Sequence, residues 1–167
     1  APMPTGLGAN NYRNREISKR VYEINPNFNA QAYKTSEKFT TGKQGDTVRS
    51  MNVAIDHLDT LNSAANALNN GDFRAVNKIL NPIQTEFGYP EVTNFEGVKS
   101  IVGSEVAKAV AGGQMALTDR EEIRGILENW NSPAQTKGVV NQLQKLLGGQ
   151  LKGLRTQYES GGGTNFD

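Results

Sequence analysis

The stretch DTVRSMNVAIDHLDTLNSAANALNNG, from Asp46 to Gly71, decides how the whole chain reads. Val48, Met51, Ile55, Leu58, Leu61, Ala65 and Leu68 recur along it at steps of three or four, the spacing that lines up one side of an α-helix. Asp46 is suited to cap that helix, because its carboxylate can accept from the free N–H groups of the first turn, and Asn69-Asn70-Gly71 is a natural stop. The stretch therefore predicts one long amphipathic helix.

The same grammar continues downstream. Asp72 caps a helix with Phe73, Val76, Leu80, Ile83 and Phe87 on one face, ended by Gly88-Tyr89-Pro90. Pro82 lies inside it and predicts a kink or a break, since proline lacks the N–H and clashes with the preceding turn. Thr93-Asn-Phe-Glu96, Thr118-Asp-Arg-Glu121 and Ser132-Pro-Ala-Gln135 each set a hydroxyl three residues before a Glu or Gln, so each predicts a helix start by reciprocal capping. The apolar sets that follow fit: Phe95, Val98, Val102, Val106 and Val110; then Ile123, Ile126, Leu127 and Trp130; then Val140, Leu143, Leu147, Leu151, Leu154 and Tyr158. Gly148-Gly149 falls inside the last helix, where it lowers propensity and suggests close packing.

Upstream the signals are shorter. Residues 1–9 are rich in Pro and Gly and read as a flexible arm. Asn10 or Asn11 can cap a helix with Ile17, Val21 and Ile24 on one side, stopped by Asn25-Pro26 because the residue before proline avoids the α conformation. A second short helix fits Asn29 to Phe39, and Thr40–Gly45 is a break. No alternating strand-like run of useful length occurs. The expected fold is all-α: a bundle of about five amphipathic helices over residues 46–159, preceded by a short-helix N-terminal arm over 1–45 and followed by a disordered polar tail over 160–167.

Composition narrows the chemistry. The 167 residues contain no cysteine, which removes disulfides, thiolate metal sites and a cysteine nucleophile. With 18 Lys and Arg against 17 Asp and Glu, the whole chain carries no field that would select nucleic acid or an anionic membrane. The balance is uneven, however: residues 1–50 hold eight basic and four acidic side chains (+4), and residues 51–167 hold ten and thirteen (−3). Arg13, Arg15, Lys19 and Arg20 are accordingly the candidates for contact with nucleic acid. The first twenty residues lack an apolar run followed by a small-residue cleavage site, and no stretch approaches the length of a membrane span. A chain soluble where it is made is expected.

Catalytic readings fail on spacing. Gly42-Lys43-Gln44 lacks the Ser or Thr that a phosphate loop needs after its Lys, and Glu37 stands where that motif needs a glycine. Glu121-Glu122 falls in a helix first turn, where the dipole alone favours acids. His57, between Asp56 and Asp59, reads as a partly exposed helix histidine, since a metal site would need several further converging ligands. No enzyme, metal site or cofactor is expected. Trp130 and Phe166 are the two aromatic residues noted for partner contact, against the alternatives of a helix-junction plug for Trp130 and a disordered end for Phe166.

Several segments, taken in order, are similar to a helical region of tailed-bacteriophage proteins: TGKQGDTVRS (Thr41–Ser50), NVAIDHLDTL (Asn52–Leu61), ALNNGD (Ala67–Asp72), Thr93–Glu96, IVGSEV (Ile101–Val106), NSPAQ (Asn131–Gln135), GGQL (Gly148–Leu151) and Gln157–Glu159. The resemblance covers about residues 40–167 and lies in the order of the segments. Such regions occur in virion-associated proteins of the internal or DNA-ejection type, and they bring no catalytic motif. The resemblance implies a non-enzymatic virion structural protein, made in the bacterial host cytoplasm and carried in the particle, with other virion proteins and further copies of itself as partners. The alternatives are a phage-encoded module that contacts host protein or nucleic acid, with weak DNA contact through the basic arm, and an accessory segment of a cell-wall-degrading enzyme.

Overall fold

A computed structural model describes residues 7–87, 94–113 and 115–166, without the side chains of 7–11, 83, 84, 86 and 87. The described residues form seven α-helices, α1 (Leu7–Ile24), α2 (Ala30–Thr40), α3 (Lys43–Asn69), α4 (Phe73–Phe87), α5 (Phe95–Gly112), α6 (Leu117–Glu128) and α7 (Thr136–Ser160), with a 3-10 turn at Pro133–Gln135 and no strand. The fold is all-α, and five helices make up the bundle from α3 onward.

The 27-residue helix α3, about 40 Å long at 1.5 Å per residue, is the axis of the body. It packs against α2, α4, α5, α7 and the 3-10 turn. Met51, Leu58, Leu61 and Ala65 are buried as the spacing predicts, but Ala54, His57 and Ala64 are buried too, while Val48, Ile55 and Leu68 are only half-buried. A helix wrapped from several sides has no single apolar stripe, and its alanines allow neighbouring helices to approach closely. Val98, Val102 and Val106 of α5, Val140, Leu143 and Leu147 of α7, Leu80 of α4 and Ile123 of α6 fill the space around it, each essentially inaccessible to water. Burial of each such side chain stabilises the bundle by about 1.5–3 kcal/mol.

The helix ends are set by local chemistry. Asn29 accepts from the N–H groups of Gln31 and Ala32, Asp72 accepts from Ala75 N at 2.9 Å, and Gln135 and Ser132 form the expected reciprocal box. Elsewhere the boundary differs from the sequence reading. Asn94, not Thr93, caps α5, accepting from Gly97 N at 2.8 Å; Thr93 lies outside the described residues, as does Gly88-Tyr89-Pro90. Helix α6 starts at Leu117 without a side-chain cap, so Thr118 sits inside its first turn. Helix α3 starts at Lys43 rather than Asp46, and Gly45 is already helical and buried. A Cβ on Gly45 would stand 2.2 Å from the Phe39 carbonyl oxygen, so the glycine that looked like part of a break is what lets α2 end directly against α3. Helix α4 runs unbroken through Pro82.

His57 is buried, at 7% exposure, with Nδ1 2.7 Å from Glu105 Oε2 on α5, and this corrects the expectation of a partly exposed helix histidine. It is a polar link between α3 and α5, which pack against each other. Gly148 and Gly149 are corrected as well: a Cβ at either would meet no atom within 4 Å, so they mark no close packing.

Candidate interaction surface

Helix α1 is built from the Ile17-Val21-Ile24 spacing and ends at Ile24, where Asn25 N still bonds Val21 O at 2.8 Å. It begins at Leu7, so residues 7–9 of the expected flexible arm are helical. Among the described residues the helix makes no substantial packing contact with any other element. What ties it to the body is an aromatic relay: Tyr22 meets Phe28 edge to face with centroids 6.5 Å apart, and Phe28 meets Tyr33 of α2 at 6.0 Å.

The consequence is exposed apolar surface in one region. Ile17 is 59% and Ile24 85% exposed, and Tyr12, Tyr22 and Tyr33 are each half exposed or more. Only Val53, Phe73 and Leu117 join them among the large apolar side chains described as exposed elsewhere. Adjoining exposed apolar side chains are the kind of surface that a partner could cover, whereas single scattered ones are ordinary. Around the helix Ile17, Val21 and Ile24 span about 60° at 100° per residue, so they form one narrow stripe.

The same geometry separates the four basic residues. Arg13 and Arg20 lie about 20° apart beside the stripe, Arg15 and Lys19 about 40° apart on another side, and the centres of the two pairs are about 130° apart. Glu16 and Glu23 fall between them. The four cations thus form no continuous basic face. Arg13 and Arg20 instead edge the apolar stripe, whose other edge carries the uncharged Asn14 and Ser18.

Both aromatic candidates are used within the chain. Trp130 is 4% exposed, its Nε1 donates to the buried Thr136 Oγ1 at 3.1 Å, and its carbonyl accepts from Lys99 Nζ at 3.1 Å. Trp130 thus joins α5 through its carbonyl and the start of α7 through its ring N–H, and the buried ring acts as a helix-junction plug that is not exposed to a partner. Phe166 is half-buried, 5.9 Å from Phe39 and 5.7 Å from Tyr158 between ring centroids. Tyr158 Oη donates to Thr164 O at 2.9 Å, and Gly163 N donates to Tyr158 O at 3.0 Å. Residues 161–166 are therefore folded back on α2 and α7, a correction to the disordered polar tail expected over 160–167. The glycine linker permits the reversal, with Gly162 at φ 85°, and three aromatic rings hold it.

A second surface lies between α6 and α7. Glu122, Gly125 and Ile126 of α6 face Gly138, Val139 and Gln142 of α7 across an open groove of about 610 Å³. Nothing in the sequence spacing singled it out, because its floor consists largely of absent side chains: a Cβ on Gly125 or Gly138 would touch nothing within 4 Å. Among the described residues no cluster of three or more His, Cys, Asp or Glu side chains converges, and no helix is long and apolar enough to cross a membrane. Comparisons with protein-family models, with curated proteins and with solved structures found no match.

Proposed function

We propose that this chain is a non-enzymatic structural component of a bacteriophage virion, of the internal or DNA-ejection type, that works through helix-mediated assembly with copies of itself and with other virion proteins. The observation that carries the assembly role is α1: an apolar stripe edged by Arg13 and Arg20, held out from a body that does not cover it. Surface of this type gains free energy only when a neighbour removes it from water. The phage assignment is supported by the ordered resemblance over about residues 40–167. On this reading the protein is made in the host cytoplasm and resides in the particle.

A protein inventory of purified virions by mass spectrometry, made on the phage that encodes the chain, is the direct test. Recovery of its peptides at a stoichiometry comparable to other minor virion proteins is expected. Their absence from particles, with the protein present in the infected-cell lysate, would overturn the reading. The alternative, DNA contact through α1, has Glu16 and Glu23 standing between the basic pairs against it. It would be favoured instead by DNA affinity that falls steeply with salt and is lost on charge reversal of Arg13, Arg15, Lys19 and Arg20.

A further inference from the structure

We infer that the apolar stripe of α1 seats in the α6/α7 groove of a second copy of this chain, joining copies head to tail; the inference rests on the reading of the protein as an assembly component.

The two surfaces match in shape. The stripe is a single ridge of Ile17, Val21 and Ile24, and the groove is a trough whose floor is left open by Gly125 and Gly138 and made apolar by the half-buried Ile126 and Val139. The ridge from Ile17 to Ile24 covers seven residues, about 10.5 Å, and the α6 side of the groove from Glu122 to Asn129 covers seven as well, so ridge and trough share one scale.

The charges match as well. Helix α1 carries Arg13, Arg15, Lys19 and Arg20 against Glu16 and Glu23, four minus two, a net +2. Helix α6 carries Arg120 and Arg124 against Asp119, Glu121, Glu122 and Glu128, two minus four, a net −2. Arg124 pairs with Glu128 at 3.4 Å, Arg120 donates to the Gly113 carbonyl and Asp119 accepts from Gln150 Nε2 at 3.1 Å, which leaves Glu121 and Glu122 to set the negative sign of α6. Glu122 is the charged residue that lines the groove, and Arg13 and Arg20 are the charges that edge the stripe. Two stripes packed against each other in antiparallel fashion would bring these guanidinium groups together, so an antiparallel α1–α1 contact is disfavoured.

Reach excludes the chain's own groove. Asn29, the root of the α1 connection, lies beside Gly162 at the C-terminal end of α7, within 3.5 Å of where a Cβ on Gly162 would be. The groove sits around Val139, some 22 residues back along α7, which is about 33 Å at 1.5 Å per residue. Ile24 is five residues from Asn29 and can travel at most about 18 Å from it, and Ile17, seven helical residues further, at most about 28 Å. With α2 packed in place, only another copy can receive the stripe. Donor and acceptor then occupy opposite ends of each molecule, a heterologous contact that builds a ring when the rotation closes and a filament when it does not.

The test uses two variants of the full chain, Ile17→Asp with Ile24→Asp to spoil the stripe and Gly138→Trp to fill the groove, each checked for native helix content by circular dichroism and weighed by light scattering. The wild type is expected to associate beyond the 18.2 kDa chain mass, each variant alone to remain monomeric, and an equimolar mixture to form a discrete heterodimer. In that mixture one intact groove meets one intact stripe, and growth stops. A charge pair provides a second arm: Arg20→Glu should weaken association at least tenfold, and adding Glu122→Arg in the same chain should restore it. If the wild type associates but each variant associates equally well, or if the mixture stays monomeric, the head-to-tail contact is wrong while the assembly reading stands. A wild type that stays monomeric at all concentrations overturns the head-to-tail contact and self-assembly with it, whereas absence of the chain from purified virions is what overturns the virion reading.

Discussion

Replacing Thr136 by Val tests whether Trp130 is an internal strut. The substitution keeps the shape of a residue with no solvent exposure and removes the oxygen that accepts from Trp130 Nε1 at 3.1 Å. The indole N–H, which can only donate, is then left in a site from which water is excluded, at a cost of about 1–3 kcal/mol. Urea midpoints fall by that cost divided by the denaturant slope; with a slope of about 2 kcal/mol/M, the expected loss is about 0.5–1.5 M. The assay is intrinsic fluorescence, because Trp130 is the sole tryptophan and reports on this junction without labelling. Association of the variant should match the wild type, since the ring faces the interior and not a partner. A midpoint within about 0.2 M of wild type would refute the reasoning, as would a variant that keeps its stability but loses association.

Further expectations follow from glycines and from the C-terminal clip. Gly149→Ala should stabilise the protein by about 0.5–1 kcal/mol, as a mid-helix glycine loses its entropic penalty in open space. Gly161→Ala should destabilise it by about 1–3 kcal/mol, because the new Cβ would stand 2.4 Å from Thr35 Oγ1; the two thermal midpoints should therefore move in opposite directions, and movement in the same direction would contradict the packing at α2. Phe166→Ala removes two ring contacts, each contributing about 0.5–1.5 kcal/mol beyond area burial. Hydrogen exchange in α2 should accelerate in that variant while α3 stays protected, and unchanged exchange in α2 would mean the clip does not hold it.

How much of this was legible in the sequence depends on whether the deciding signal was local. The α3 helix, the Asp72 cap and the Ser132–Gln135 box depend on residues within one turn of each other, and they appear in the structure, α3 with an earlier start at Lys43. His57 was misplaced because its partner, Glu105, lies 48 residues away, and nothing in Asp56-His57-Leu58-Asp59 announces it. Phe39, Tyr158 and Phe166 likewise meet across the whole length of the chain, so a glycine-rich tail read locally looks like a free end. The Thr118 start misled because a hydroxyl three residues before Glu121 also fits inside a first turn already begun at Leu117. Of the interaction surface, the stripe Ile17-Val21-Ile24 was readable from its spacing, but its exposure was not, since periodicity shows that a face is apolar without showing whether anything covers it. The groove gave no signal at all, because Gly125 and Gly138 contribute space rather than side chains.

The central claim, that α1 is a docking element left uncovered by its own body, is tested most directly by hydrogen exchange of the full chain measured in dilute and in concentrated solution. A helix of 18 residues without tertiary support is marginal in water. The account therefore predicts rapid exchange across Leu7–Ile24 in the dilute protein and protection there that rises with concentration, while the buried core of α3 is protected throughout. Strong protection of Leu7–Ile24 in the dilute monomer, or exchange there that is the same at both concentrations, would contradict it.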